Sequence, residues 1–259
     1  MSRGSAVIVH DSAEVLAEAV AARLINRLAD AQAQRGEASL VLTGGRIAAK
    51  VYAEVLGSRI RNIVDWSRVD FWWGDERFLP EGDPERNETL ARQSLLDGLP
   101  VDPERVHPIP GTDSVDTPEE AATVYSAELG GVADGEGLPP FDLVLLGIGE
   151  DGHVASLFPG NPALEADGEP AVAVRDSPKP PPERVSLTMP TLNSATAAWI
   201  IASGAGKSEA VDKALSASAK LASRKLAQGT LPAGRVEAQG HTRWLIDAEA
   251  AAELKHLEF

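Results

Sequence analysis

Apolar and polar positions change their period several times along this chain, and each change marks an element. Ala6, Val7, Ile8 and Val9 form a β-branched run predicted as a strand, after which Leu16, Val20, Leu24 and Leu28 recur at helical spacing until Arg35 and Gly36. Asp11, with Glu14 three residues later, is the expected N-cap of that helix in a capping box. The pattern then repeats. Residues 39–45 (SLVLTGG) read as a strand entering a glycine turn and residues 47–57 as a helix ended by Gly57. Residues 69–75 (VDFWWGD) read as a further strand, followed by helices over 87–96 and 117–129. Residues 142–149 (DLVLLGIG) and 197–204 (AAWIIASG) are near-continuous apolar runs, as expected of parallel strands buried on both faces, and the second leads into a helix over 207–215.

Strands alternating with helices predict an α/β fold: a mostly parallel sheet with helices on both faces, forming one domain over residues 1–259. Residues 159–185 are the longest irregular stretch and hold seven of the 18 prolines, so they are expected to form a long loop beside the site.

Composition narrows the chemistry. The formal charge of −15 argues against nucleic-acid and anionic-membrane partners, so any bound anion needs cations gathered locally. The chain lacks cysteine, which removes disulfides and thiolate metal sites, and neither a secretory h-region nor a membrane span is evident. A cytoplasmic protein is expected. The histidines at 10, 107, 153, 241 and 256 show no paired spacing, so no metal and no cofactor are expected.

Ligands of open α/β sheets bind beyond the carboxyl ends of the strands, and four glycine turns are predicted there. They are Thr43-Gly44-Gly45-Arg46, Gly74-Asp75-Glu76-Arg77, the loop from Gly147 through Gly149, Asp151 and Gly152 to His153, and Ser203-Gly204-Ala205-Gly206-Lys207. Three carry a basic residue and the fourth carries His153. Gly206-Lys207-Ser208 does not make a P-loop, because Ile201 stands where that motif needs glycine. With no Gly-x-Ser-x-Gly elbow present, catalysis falls to the histidine acting on water or on a substrate proton.

Residues 147–160 (GIGEDGHVASLFPG), with FWWGDERFLP upstream and ERVSLTMPTLNSA and ASGAGKSEAV downstream, resemble the 6-phosphogluconolactonase family in order and over nearly the whole chain. That resemblance implies a Rossmann-like fold of the sugar-phosphate isomerase/deaminase type. It also implies hydrolysis of 6-phospho-D-glucono-1,5-lactone in the oxidative pentose phosphate pathway, with glucose-6-phosphate dehydrogenase supplying the lactone. Carried over by residue, His153 is the base that activates water, and Asp75 and Asp151 orient the reacting groups. Arg77, Arg184 and Lys207 hold the phosphate or position the lactone, and Gly44, Gly45, Gly147, Gly149 and Gly152 let backbone approach the ligand. Many relatives carry Gly-Gly-Ser-Thr-Pro where this chain has Gly44-Gly45-Arg46-Ile47-Ala48, so Arg46 either substitutes as a phosphate ligand or points away.

The chemistry suits these parts. A δ-lactone is an activated ester, and an imidazole, with an ordinary pKa of about 6.5, takes a proton from water near pH 7. Glycine-turn N–H groups or a nearby cation are expected to stabilise the oxyanion. The nearest alternative is a glucosamine-6-phosphate deaminase/isomerase, whose relatives continue from the histidine toward Asn-Glu-Pro; here His153 leads to Ala155-Ser156-Leu157-Phe158-Pro159. A non-catalytic sugar-phosphate-binding protein is the other alternative, and it would be expected to have lost the histidine or the acidic residues.

Overall fold

The computed structural model describes residues 5–132, 137–221 and 230–254. Six strands, β1 (Ser5–His10), β2 (Ala38–Leu42), β3 (Val69–Trp73), β5 (Leu143–Gly147), β8 (Ala197–Ala202) and β9 (His241–Asp247), pair in the order β1-β9-β8-β5-β2-β3. Every pairing in this sheet is parallel. A second, antiparallel sheet has the order β4-β7-β6, made of β4 (Asp75–Arg77), β6 (Ala171–Val174) and β7 (Arg184–Leu187). The helices are α1 (Ala13–Arg35), α2 (Arg46–Gly57), α3 (Asn87–Ser94), α4 (Pro118–Val132), α5 (Met189–Asn193) and α6 (Ser208–Leu221).

Leu16, Val20, Leu24 and Leu28 of α1 are completely buried, as their spacing requires, and the helix stops at Gly36, whose φ of 82° only glycine adopts freely. Its N-cap is Ser12, which accepts the Val15 N–H, rather than Asp11. Both residue types cap well, and the shift puts Glu14 one position too early for the expected box. The interior of the sheet is largely apolar: β2 and β8 are buried at every position, with Ser39 their one polar side chain, and Trp72, Trp73, Trp199 and Trp244 are among the largest enclosed side chains.

The chain changes sheets at one residue. Gly74 donates its N–H to Leu42 of β2 at 3.0 Å, while its carbonyl accepts from Leu187 of β7 at 2.8 Å. Residues 69–75 are therefore two strands in two sheets rather than one. Residues 159–185 likewise are not a plain loop, since they contain a 3-10 turn (Pro162–Glu165) and β6. Here the small sheet supplies the pairing that a run interrupted by prolines cannot supply to itself.

Strand order locates the site. From β2 the chain moves outward to β3, then returns to place β5 on the other side of β2 and continues through β8 to β9. The direction reverses between β2 and β5, so a crevice opens beyond their carboxyl ends, where Thr43-Gly44-Gly45 and Gly147-Ile148-Gly149 leave the sheet.

The chain's two tyrosines fix strand ends here. Tyr52 of α2 donates its hydroxyl to the Thr43 carbonyl at 2.7 Å and accepts the Thr43 N–H at 3.0 Å; Tyr125 of α4 does the same for Trp73 at 3.1 and 2.9 Å. Each phenol satisfies a peptide that the strand ladder leaves unpaired. Burial raises the pKa of both, so both stay neutral donors.

Away from the crevice, His107 stacks on Trp72 at 3.9 Å and contacts Glu128 at 2.7 Å and Asp70 at 3.3 Å. Burial disfavours the charged ring, but the two carboxylates prevail and raise its pKa. The stabilisation is complete below the unfolded value of about 6.5 and is lost as pH rises through the folded one. We expect the stability gap between wild type and His107→Gln, measured by urea unfolding, to narrow as pH is raised from 6 to 9. A gap independent of pH would remove the charged-ring account.

Candidate active site

The crevice is a cleft of about 640 Å³. All four glycine turns predicted from the sequence contribute to its wall, among them Gly44, Gly45, Asp75, Arg77, Gly147, Gly149, His153 and Lys207. Residues far apart in the chain meet here because parallel strands present all their carboxyl ends at one edge.

His153 Nδ1–H donates to Asp151 Oδ1 at 2.5 Å. That bond orients the ring and leaves Nε2 with the free lone pair in the neutral tautomer. Burial works against the Asp151 carboxylate, but the His153 hydrogen bond and charge hold it down at about 2, so it remains an anion at any ordinary pH. The loop is tight: the Gly149 N–H donates to the His153 carbonyl at 2.9 Å and the Gly152 N–H to the Gly149 carbonyl at 3.0 Å. A Cβ on Gly149 would stand 2.0 Å from His153 Nδ1 and 2.3 Å from Asp151 Oδ1. Glycine is thus required at 149 for the Asp151–His153 pair to close. The Gly147 N–H is directed at Thr43 Oγ1 at 3.3 Å, so the amides of 147, 149 and 152 are all engaged within the protein.

The two carboxylates of Asp75-Glu76-Arg77 divide their labour. Asp75, 6% exposed, accepts from Ser156 Oγ at 2.6 Å and from Asn87 Nδ2 at 3.2 Å. It braces the segment after His153 rather than contacting the ring. Glu76 is buried behind the wall, where it accepts the N–H groups of Arg77 (2.8 Å), Asn87 (2.7 Å) and Glu88 (2.8 Å). It therefore caps α3, which has no side-chain cap from its own N-terminal residue Arg86. Burial pushes Glu76 up to about 7 against the pull of Arg86 and these amides. Glu76→Ala strands three backbone donors, two of them buried, and should lower unfolding free energy by about 3 kcal/mol or more in chemical denaturation. A loss under 1 kcal/mol would deny it the capping role.

Asn87, at the first turn of α3, is a site residue that the sequence reading missed. Its side chain fills the space beside Gly44, where a Cβ would lie 1.9 Å from Asn87 Oδ1. A lone asparagine opening a helix looks like an ordinary cap, and only the fold brings it to the β2 turn.

Cations line the remaining wall. Arg77 and Arg184 stand directly opposite each other on β4 and β7, a like-charge pairing that costs stability unless an anion lies between or beside them. Arg77 donates to the Glu85 carbonyl, and its buried Nε has no partner among the described residues. Arg46 opens α2 and lines the cleft. Lys207 is half-buried; desolvation and the Lys179 ammonium push its pKa down, against Glu150 and Asp151. Lys179 is the second cleft residue the sequence reading missed, sitting in the proline-rich stretch with no glycine turn to flag it.

Residues 11–244, which include every one of these turns, match the sequence profile described as glucosamine-6-phosphate isomerases/6-phosphogluconolactonase. The chain belongs to that family. Within the glucosamine-6-phosphate isomerase/6-phosphogluconolactonase family, it is similar to a 6-phosphogluconolactonase of Streptomyces coelicolor, with 46% identity over 259 residues covering 98% of this chain and 96% of the other. A 6-phosphogluconolactonase of Mycobacterium tuberculosis is 37% identical, covering 96% and 98% of the two chains. Among solved structures, the 6-phosphogluconolactonase of Trypanosoma brucei superposes with a TM-score of 0.82 at 25% identity, over 98% of this chain and all of that one.

Proposed function

We propose that the protein hydrolyses 6-phospho-D-glucono-1,5-lactone to 6-phospho-D-gluconate. The observation that carries this reading is the Asp151–His153 pair: a permanently ionised carboxylate holds Nδ1–H, leaving Nε2 as a base in a cleft rich in cations. Membership of the family and the 46% identical relative point to the same chemistry.

Nε2 takes a proton from water as its oxygen adds to C1 of the lactone, and charge develops on the carbonyl oxygen. That charge is met by a cation of the wall or by N–H groups of a glycine turn. Collapse of the adduct breaks the bond from C1 to the ring oxygen, which takes the proton from His153 and becomes the C5 hydroxyl. The carboxylic acid then ionises, releasing one proton. Asp75, through Ser156 and Asn87, keeps the two loops in register. Arg46, Arg77 and Lys207 draw the dianionic phosphate into a protein whose overall charge of −15 repels it.

No helix among the described residues is long and apolar enough to cross a membrane. The reading includes cytoplasmic action downstream of glucose-6-phosphate dehydrogenase. The test is to follow freshly generated lactone by proton release in weak buffer. Decay well above the spontaneous rate supports the lactonase, whereas background decay with ammonia released from glucosamine 6-phosphate would transfer the site to the deaminase reaction.

A further inference from the structure

We infer that Arg184 is a positioning residue, and that the cation it positions against the substrate is Lys179. The inference rests on the reading of the cleft as a sugar-phosphate lactone site, and it reassigns Arg184 from the phosphate-holding role that the family resemblance implies.

The argument begins with prolines. Residues 178–182 read PKPPP, and proline has no N–H, so this segment carries carbonyls that it cannot satisfy from within. Arg184 satisfies them. Its Nε donates to the Pro181 carbonyl at 3.2 Å, and its Nη2 donates to the carbonyls of Lys179 and Pro180, both at 3.1 Å. Nη1 reaches Ser156 Oγ at 3.5 Å, which engages four of the five N–H groups of a guanidinium. The whole residue is 4% exposed. Little of this side chain is left for a ligand.

What Arg184 connects is the histidine loop and the proline segment. Its guanidinium carbon lies 5.7 Å over the Phe158 ring, and Phe158 packs 4.4 Å from the ring of His153. Ser156, its other neighbour, is bonded to Asp75. A single planar fork therefore references the position of residues 179–181 to the catalytic ring. Ser177 closes the segment from the other end, donating Oγ to the Lys179 carbonyl at 2.8 Å and its own N–H to the Pro182 carbonyl at 3.0 Å.

Lys179 is the cation that this scaffold presents. It lines the cleft and lies within electrostatic range of both Lys207 and Asp151. Two ammonium groups within electrostatic range repel, and a shared phosphate oxygen relieves them. A lysine suits this duty because its donors rotate about a point charge, while the rigid fork of an arginine suits the three fixed carbonyls behind it.

The test is a double-mutant cycle with Lys179→Met, Arg184→Gln and their combination, read two ways. One reading is the dissociation constant of 6-phosphogluconate by calorimetry, with inorganic phosphate as a second probe; the other is KM and kcat for the lactone. Lys179→Met should weaken binding and raise KM by about 10- to 100-fold, the loss of one charge-assisted hydrogen bond, with a much smaller change in kcat. Arg184→Gln should do the same in wild type but add less than about twofold once Lys179 is gone. Arg184→Lys, which keeps charge without the fork, should fail to rescue; it also replaces Arg184→Gln if that variant does not fold by near-UV circular dichroism.

Equal weakening by Arg184→Gln in both backgrounds would make the guanidinium itself the ligand and overturn the inference. So would unchanged binding and KM in Lys179→Met. Wild-type lactone decay at the spontaneous rate would overturn the lactonase reading alone, because the binding cycle reports on Lys179 without turnover. Absence of binding to either probe in wild type would overturn both.

Discussion

Replacing His153 by alanine is expected to lower kcat by about 10²- to 10⁴-fold, the contribution typical of a positioned general base, with KM changed only a few-fold. The split follows from the layout of the cleft: His153 is on the loop after β5, whereas Arg46 opens α2, Arg77 is on β4 and Lys207 precedes α6. Initial rates of lactone hydrolysis, corrected for spontaneous decay, decide the matter. Unchanged turnover would remove His153 from its assigned role. Asp151 is held at about 2, so it contributes no titration of its own to a rate profile in the neutral range.

Gly149→Ala is expected to lower kcat by about 100-fold although it removes no catalytic side chain. The φ of Gly149 is not in the left-handed region, so alanine meets no backbone penalty there. Its Cβ would instead press on His153 Nδ1 at 2.0 Å, His153 Cε1 at 2.2 Å and Asp151 Oδ1 at 2.3 Å. The pair must part, and a displacement of about 1 Å in a reacting group costs about 10²-fold in rate. Overpacking of this kind costs about 1–3 kcal/mol in stability, so thermal unfolding should show a folded variant. A variant with wild-type kcat would show that the loop relaxes without disturbing the base.

Local pattern carried the elements with strong periodicity. The completely buried stripe of α1, its stop at Gly36, and the apolar runs of β5 and β8 all lie where the sequence places them, and so do the four turns that form the cleft. What escaped depends on partners distant in the chain. Strand β4 is three residues long and separated from β3 only by Gly74, so its membership of another sheet is invisible until β7 arrives to pair with it. Strand β6 is short and follows Pro170, and residues 241–247 close the main sheet beside β1, a pairing that spans nearly the whole chain. The site shows the same division. His153, Asp151 and the glycines are neighbours in sequence and could be read together. Asn87 and Lys179 become site residues only through contacts with Gly44 and Arg184, and the middle residue of Asp75-Glu76-Arg77 turns its carboxylate toward a helix terminus instead of the cleft.

Helix α2 carries Arg46 at its first residue and Tyr52 two turns later, and the Tyr52 phenol grips both sides of Thr43. The arm that lines the cleft and the bolt that secures the adjoining glycine turn are thus parts of one lever. A pull on Arg46 is delivered to the end of β2 as well, so the cleft floor and this part of its rim can shift only in concert.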